Sequence, residues 1–211
     1  MNKYLHVEST SRCNAACPMC ERNINGIGTS GTFDPSNLTL EKFKQVVTPS
    51  LPELEKVLFC GNLGDPCANR NLLEFIEWLK SEKDVVIGIN TNGSIQNRKW
   101  WARCASLLTN PLDYVVFSID GLKDTNHIYR WGVPYHKIME NSQSFIDAGG
   151  IAHWDMLVFD HNKHQIDACL ELATKMGFCW FRAKETDRWD IFDFEFDVLE
   201  PVQDHKNIDY T

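Results

Sequence analysis

The chain predicts an α/β fold with parallel strands, curved into a partial (β/α)6 TIM barrel, on three observations. Six short runs rich in β-branched and aromatic residues alternate with longer amphipathic segments, the pattern of repeated βα units. Six units fall short of the eight that close a TIM barrel, so one side is expected to stay open. The residues able to do chemistry cluster directly after the strands, where folds of this kind build their sites. A chain of 211 residues, 43% of them hydrophobic, is long enough for one domain with a substantial core.

The elements follow in order. The first strand is 4–8, and a cysteine-rich loop follows it at once. Apolar periodicity predicts a helix over 40–47, with Thr39 as its N-cap and Pro49 marking its stop. A second strand, 56–60, leads into the turn-rich segment 61–66. Leu72, Leu73, Phe75, Ile76 and Leu79 then form one face of a helix. The third strand, 85–89, ends in Asn90-Thr91-Asn92-Gly93, and a helix over about 98–108 follows. The fourth, 114–119, closes on Asp120-Gly121, ahead of a helix over 136–148 that Gly149 and Gly150 end as a left-handed cap. A fifth strand, 153–159, precedes a helix over 165–176 that Gly177 terminates; the sixth strand is 178–182. The core is therefore expected over 1–187. The tail, 188–211, alternates acidic and aromatic residues and suits a half-buried edge strand on the core, or an arm that docks on a partner.

Cys13, Cys17 and Cys20 form a C-x3-C-x2-C run. Thiolates at this spacing can wrap one inorganic cluster, and three leave one iron of a [4Fe–4S] cluster without a protein ligand. An open iron is where a substrate or cofactor binds. Structural zinc needs four ligands, commonly from two Cys or Cys/His pairs; no second C-x2-C is present, and His6 falls within a strand. Disulfides are the third reading. Eight cysteines with no secretory segment read at the N-terminus point instead to a reducing cytoplasm. A net charge of −8 argues against a nucleic-acid partner, and no apolar run approaches the roughly 20 residues of a membrane helix.

The order of these motifs resembles the radical S-adenosylmethionine (SAM) enzymes. The cysteine motif follows the first strand, a Gly-rich acidic turn the second, Thr91-Asn92-Gly93 the third and Ser118-Ile119-Asp120-Gly121 the fourth. The likeness is to the core domain of the SPASM/twitch-type peptide maturases and sulfatase-maturing enzymes, without their C-terminal auxiliary-cluster domain. The resemblance implies that Cys13, Cys17 and Cys20 hold the cluster and that SAM binds its fourth iron. One-electron cleavage of SAM then yields a 5′-deoxyadenosyl radical that abstracts hydrogen from a substrate, with a peptide or protein expected. Gly61, Gly64 and Asp65 would lie against the SAM amino group, Ser118 and Arg130 would take its carboxylate, and Asn92 would line the pocket floor. Met19 stands where the family places an aromatic residue near the adenine. The implied partner is an electron donor such as flavodoxin or ferredoxin. The alternative is an iron–sulfur electron carrier or sensor that does not turn SAM over.

Other residues carry weaker signals. Cys104 and Cys169 lie on helix faces and read as core. Cys60 and Cys67 flank the acidic turn, so one of them is a candidate hydrogen-atom donor. His161 and Lys163 follow the fifth strand, and Lys184, Glu185 and Asp187 follow the sixth, as candidate ligand or substrate contacts. Trp100, Trp101 and Trp131 read as packing residues.

Overall fold

The computed structural model describes residues 3–24, 28–29, 35–186 and 208–210. Asp187 and the acidic–aromatic run 188–199 lie outside the described residues. Strand β1 (Tyr4–Val7) leads through the cysteine loop to a short antiparallel hairpin, β2 (Asn23–Ile24) and β3 (Gly28–Thr29). Five helix–strand units follow, the first three being α1 (Leu40–Val47) with β4 (Lys56–Phe59), α2 (Leu72–Glu82) with β5 (Val86–Thr91), and α3 (Arg98–Leu107) with β6 (Tyr114–Ser118). A single-turn helix, α4 (Asn126–Tyr129), precedes α5 (Tyr135–Asp147), β7 (Ala152–Leu157), α6 (Ile166–Met176) and β8 (Trp180–Lys184).

β1, β4, β5, β6, β7 and β8 pair in that order, every pair parallel. Among the described residues β1 pairs with β4 alone, so the sheet stays open, as a partial barrel must. A last strand, β9 (Ile208–Tyr210), adds antiparallel to β8 with Tyr210 opposite Phe181. Every parallel pair needs a crossover, and the helices supply it by covering one face of the sheet.

Alternation along the strands divides the side chains. Val57, Phe59, Ile87, Ile89, Val115 and Phe117 are all fully buried on the helix side. There Phe43 of α1 stacks on Phe75 of α2 with ring centroids 4.5 Å apart, and Trp101 of α3 meets Phe117 at 5.1 Å and Phe145 of α5 at 6.0 Å. On the concave side, near the strands' N-terminal ends, Lys56 Nζ lies 4.8 Å above the Tyr114 ring. Tyr114 in turn stacks on His153 at 4.9 Å, and His153 approaches Trp180 at 6.1 Å. This row occupies the lower end of the curve and leaves the upper end for chemistry.

The expected caps are present. Thr39 Oγ1 accepts from Lys42 N at 3.3 Å, and Gly177 closes α6 at φ +90°. The largest difference is at the sixth parallel strand, which runs two residues later than the expected 178–182. Phe178 instead turns into the core against Phe117 and Trp154. A shift of two keeps every side chain on its expected face.

Candidate functional site

A cavity of about 250 Å³ lies at the C-terminal ends of the strands. Cys13, Cys17 and Cys20 line it, and none of the eight cysteines is in a disulfide. Several hydrogen bonds staple their loop to its surroundings. Ala16 N donates to Trp131 O at 2.8 Å, and Asp65 N donates to Arg12 O at 2.9 Å. Arg22 Nε donates to Ser11 O at 3.2 Å, and Asn23 Nδ2 donates to Cys17 O at 3.2 Å. Burial pushes the Cys13 thiol up to about 12, and the nearby Asp65 carboxylate adds to the effect. Among the described residues no three His, Cys, Asp or Glu side chains converge tightly enough to chelate one metal ion. Three cysteine sulfurs along one cavity wall suit the corners of a cluster better than a single zinc.

The turn after β4 abuts this loop so closely that side chains are excluded. A Cβ on Gly61 would fall 2.1 Å from Gly64 O, and one on Gly64 would fall 2.2 Å from Thr10 O. Gly64 therefore serves the contact between the turn and the segment leading into the cysteine loop, and Gly61 lets the turn close on itself. Asp65 is 5% exposed, and its carboxylate already accepts three donors. These are Asn92 N at 2.7 Å, Cys67 N at 2.9 Å and Thr91 Oγ1 at 2.9 Å. Burial raises this carboxyl above its ordinary range while those donors oppose the shift. Its oxygens thus tie the β4 turn to the end of β5, while Asp65, Gly61 and Gly64 all border the cavity, where the sequence-based expectation had them against a ligand ammonium.

Asn92 borders both the cavity and the cysteine loop. Its Nδ2 donates to Asn14 Oδ1 at 2.9 Å and lies 3.6 Å from Cys13 Sγ. Ser118, ending β6, and Arg130, just after α4, line the same cavity. Arg130 Nε donates to Asp120 Oδ2 at 2.5 Å. Burial is the largest influence and opposes the charged guanidinium, but the Asp120 carboxylate, with smaller contributions from Cys17 and Tyr129, outweighs it and keeps the group protonated. Leu157 N donates to the other Asp120 oxygen at 2.7 Å. Asp120 is thus the buttress that aims Arg130; only its place at a strand end hinted at that role.

On the remaining wall, Asp155 accepts from Arg182 Nη2 at 2.9 Å and from Lys184, so two cations of β8 share one carboxylate of β7. Lys184 and Asp155 line the cavity, as does Cys60, whose thiol burial raises. Asn62, Leu63, Asn90 and Leu157 also line it without having been singled out. They carry no motif of their own, only concave-facing positions or places in the turn.

Some expected residues lie elsewhere. Met19 does not line the cavity; it is 1% exposed and packs within the hydrophobic core. Cys67 is fully buried, which removes it from the pair of candidate hydrogen donors. His161 stacks on Phe159 at 5.2 Å, and Lys163 pairs with Asp160 at 2.5 Å; neither borders the cavity. Cys104 and Cys169 are fully buried core residues, as expected.

Residues 7–173 match the family model described as the Radical SAM superfamily. The chain belongs to that superfamily. Membership implies a radical SAM enzyme with a [4Fe–4S] cluster and S-adenosylmethionine as cofactors. A tungsten-containing aldehyde ferredoxin oxidoreductase cofactor-modifying protein of Pyrococcus furiosus is 26% identical over 132 residues, 62% of this chain and 34% of that protein. A 7,8-dihydro-6-hydroxymethylpterin dimethyltransferase of Methanocaldococcus jannaschii is 23% identical over 141 residues, 64% of this chain and 26% of that one. Among solved structures, Streptococcus suis SuiB bound to S-adenosylmethionine superposes with a TM-score of 0.67 at 16% identity, covering 86% of this chain and 40% of SuiB. Native anSMEcpe with bound AdoMet superposes with a TM-score of 0.65 at 17% identity, covering 84% of this chain and 50% of that one. These solved structures share the radical SAM fold with the chain, which spans about a third or less of the curated relatives and half or less of the solved ones. Among the described residues no helix is long and apolar enough to cross a membrane.

Proposed function

We propose that Cys13, Cys17 and Cys20 hold three irons of the cluster, that SAM chelates the fourth, and that the substrate is a peptide or protein. The observation that carries this reading is that the three thiols, Ser118 and Arg130 line one cavity at the functional end of the open barrel. Held by Cys13, Cys17 and Cys20, a [4Fe–4S] cluster would supply one-electron reduction of SAM, and hence radical hydrogen abstraction from a substrate carbon.

The chain's own groups bind and orient. Arg130, fixed at Nε by Asp120, offers its remaining N–H groups to the SAM carboxylate, a match for the fork geometry of guanidinium, and Ser118 adds a hydroxyl beside it. Because the Asp65 side chain is engaged within the protein, the turn 61–65 meets the SAM amino group through its backbone carbonyls. Met19 supports the cysteine loop from beneath.

The peptide reading draws on solved relatives whose structures contain peptides, anSMEcpe with Cp18Cys and SuiB with its precursor SuiA. Eight cysteines support a reducing cytoplasm, with flavodoxin or ferredoxin as the electron donor.

Anaerobic reconstitution with iron and sulfide, reduction, and addition of SAM tests the reading, with 5′-deoxyadenosine measured by mass spectrometry. The joint Cys13→Ala, Cys17→Ala variant is expected to lose both the brown colour and SAM cleavage. Arg130→Ala is expected to keep the cluster and bind SAM at least tenfold more weakly, about 1.4 kcal/mol. Turnover retained by the cysteine variant would refute the ligand assignment, and unchanged SAM affinity in Arg130→Ala would refute the carboxylate contact.

A further inference from the structure

We infer that Asn92 tunes the reduction potential of the cluster by donating a hydrogen bond to the Cys13 sulfur. The inference rests on the proposed ligation by Cys13. Its basis is a closed network that leaves the Asn92 amide one orientation. Asn92 Oδ1 accepts from Ser94 N at 2.9 Å and from Ser94 Oγ at 2.7 Å. The oxygen is thereby assigned to the Ser94 side, and Nδ2 must face the cysteine loop, where its partners are Asn14 Oδ1 at 2.9 Å and Cys13 Sγ at 3.6 Å. Asn14 Nδ2 donates to Ser94 Oγ at 2.9 Å and completes the ring. The backbone is pinned as well, since Asn92 N donates to the buried Asp65 carboxylate at 2.7 Å. Asn92 is only 5% exposed, so water does not compete freely for the sulfur.

A donor aimed at a ligand sulfur stabilises negative charge there. The reduced cluster carries one more negative charge than the oxidised cluster, so such a bond favours reduction. The other donor to Cys13 Sγ among the described residues is the backbone amide of Ala15, at 3.3 Å, which no side-chain truncation removes. Asn92 is thus the adjustable contribution at this sulfur. It is a positioning and tuning residue, since it acts through Cys13.

The test is an EPR-monitored potentiometric titration of the reconstituted full chain without SAM, with iron and sulfide content measured alongside. Asn92→Ala is expected to hold a full cluster while its reduced-to-oxidised ratio at the wild-type midpoint falls about tenfold, equivalent to about 59 mV for a one-electron couple. Ser94→Ala keeps the Ser94 N bond to Asn92 Oδ1 but removes the hydroxyl that donates to the same oxygen and accepts from Asn14, so it loosens the ring and is expected to give a smaller fall in the same direction. A full cluster with an unchanged midpoint in Asn92→Ala overturns the inference while leaving the ligation intact. If Asn92→Ala assembles no cluster, Ser94→Ala decides: a lowered midpoint upholds the inference, and a wild-type midpoint overturns it. A full cluster in the Cys13→Ala, Cys17→Ala variant would overturn the ligation and this inference together.

Discussion

Asp120→Ala would remove a carboxylate that touches no cavity surface yet governs one wall of the site. The side chain is fully buried and accepts from Arg130 Nε at 2.5 Å and from Leu157 N at 2.7 Å. Truncation leaves a cation without its counter-charge, a loss of about 3–5 kcal/mol for a buried pair. It also leaves a strand-end amide without its acceptor, about 1–3 kcal/mol more. Arg130 is 15% exposed at the cavity, so water recovers part of both losses, and a net cost of about 4 kcal/mol is expected. At about 2–4 °C per kcal/mol for a domain of this size, Tm should fall by roughly 8–16 °C. Urea unfolding of the apoprotein measures the cost, and a double-mutant cycle with Arg130→Met isolates the pair. The coupling should be about 2 kcal/mol or more, within the range for residues in direct contact. An Asp120→Ala cost below about 1 kcal/mol, additive with Arg130→Met, would refute the buttress argument. Because Arg130 would no longer be aimed, SAM affinity should fall in Asp120→Ala as well, although Asp120 itself makes no contact with the cavity.

Gly64→Ala places a Cβ 2.2 Å from Thr10 O, so the turn or the cysteine loop must shift, at about 1–3 kcal/mol. Reconstitution should then recover less iron per chain, and wild-type iron content with wild-type stability would show that the contact is dispensable. His153 is held below its ordinary value near 6.5, mainly by burial. A base with a depressed folded pKa takes up protons in the unfolded chain first, so stability should fall as pH drops from about 6.5 towards the folded value. His153→Phe, which keeps a ring between Tyr114 and Trp180, should flatten that part of the stability profile; an unchanged slope below pH 6.5 would assign it to other groups.

Sequence and structure divide the account along physical lines. Alternating β and amphipathic periodicities, the Thr39 and Gly177 caps and the spacing of Cys13, Cys17 and Cys20 are local properties, legible within a few residues. The four-residue α4 escaped because one turn is too short to show a period. Beyond this, the sequence by itself determined which elements form, their order and the residue types delivered to the strand ends. The tertiary structure alone decided what those residues touch: that Asp65 turns inward to Thr91 and Asn92, that Met19 is core, that Asp120 aims Arg130, and that Asn92 reaches Cys13 from 79 positions away. Such pairings depend on how the sheet curves and where each crossover returns, which the periodicity of a single chain does not encode.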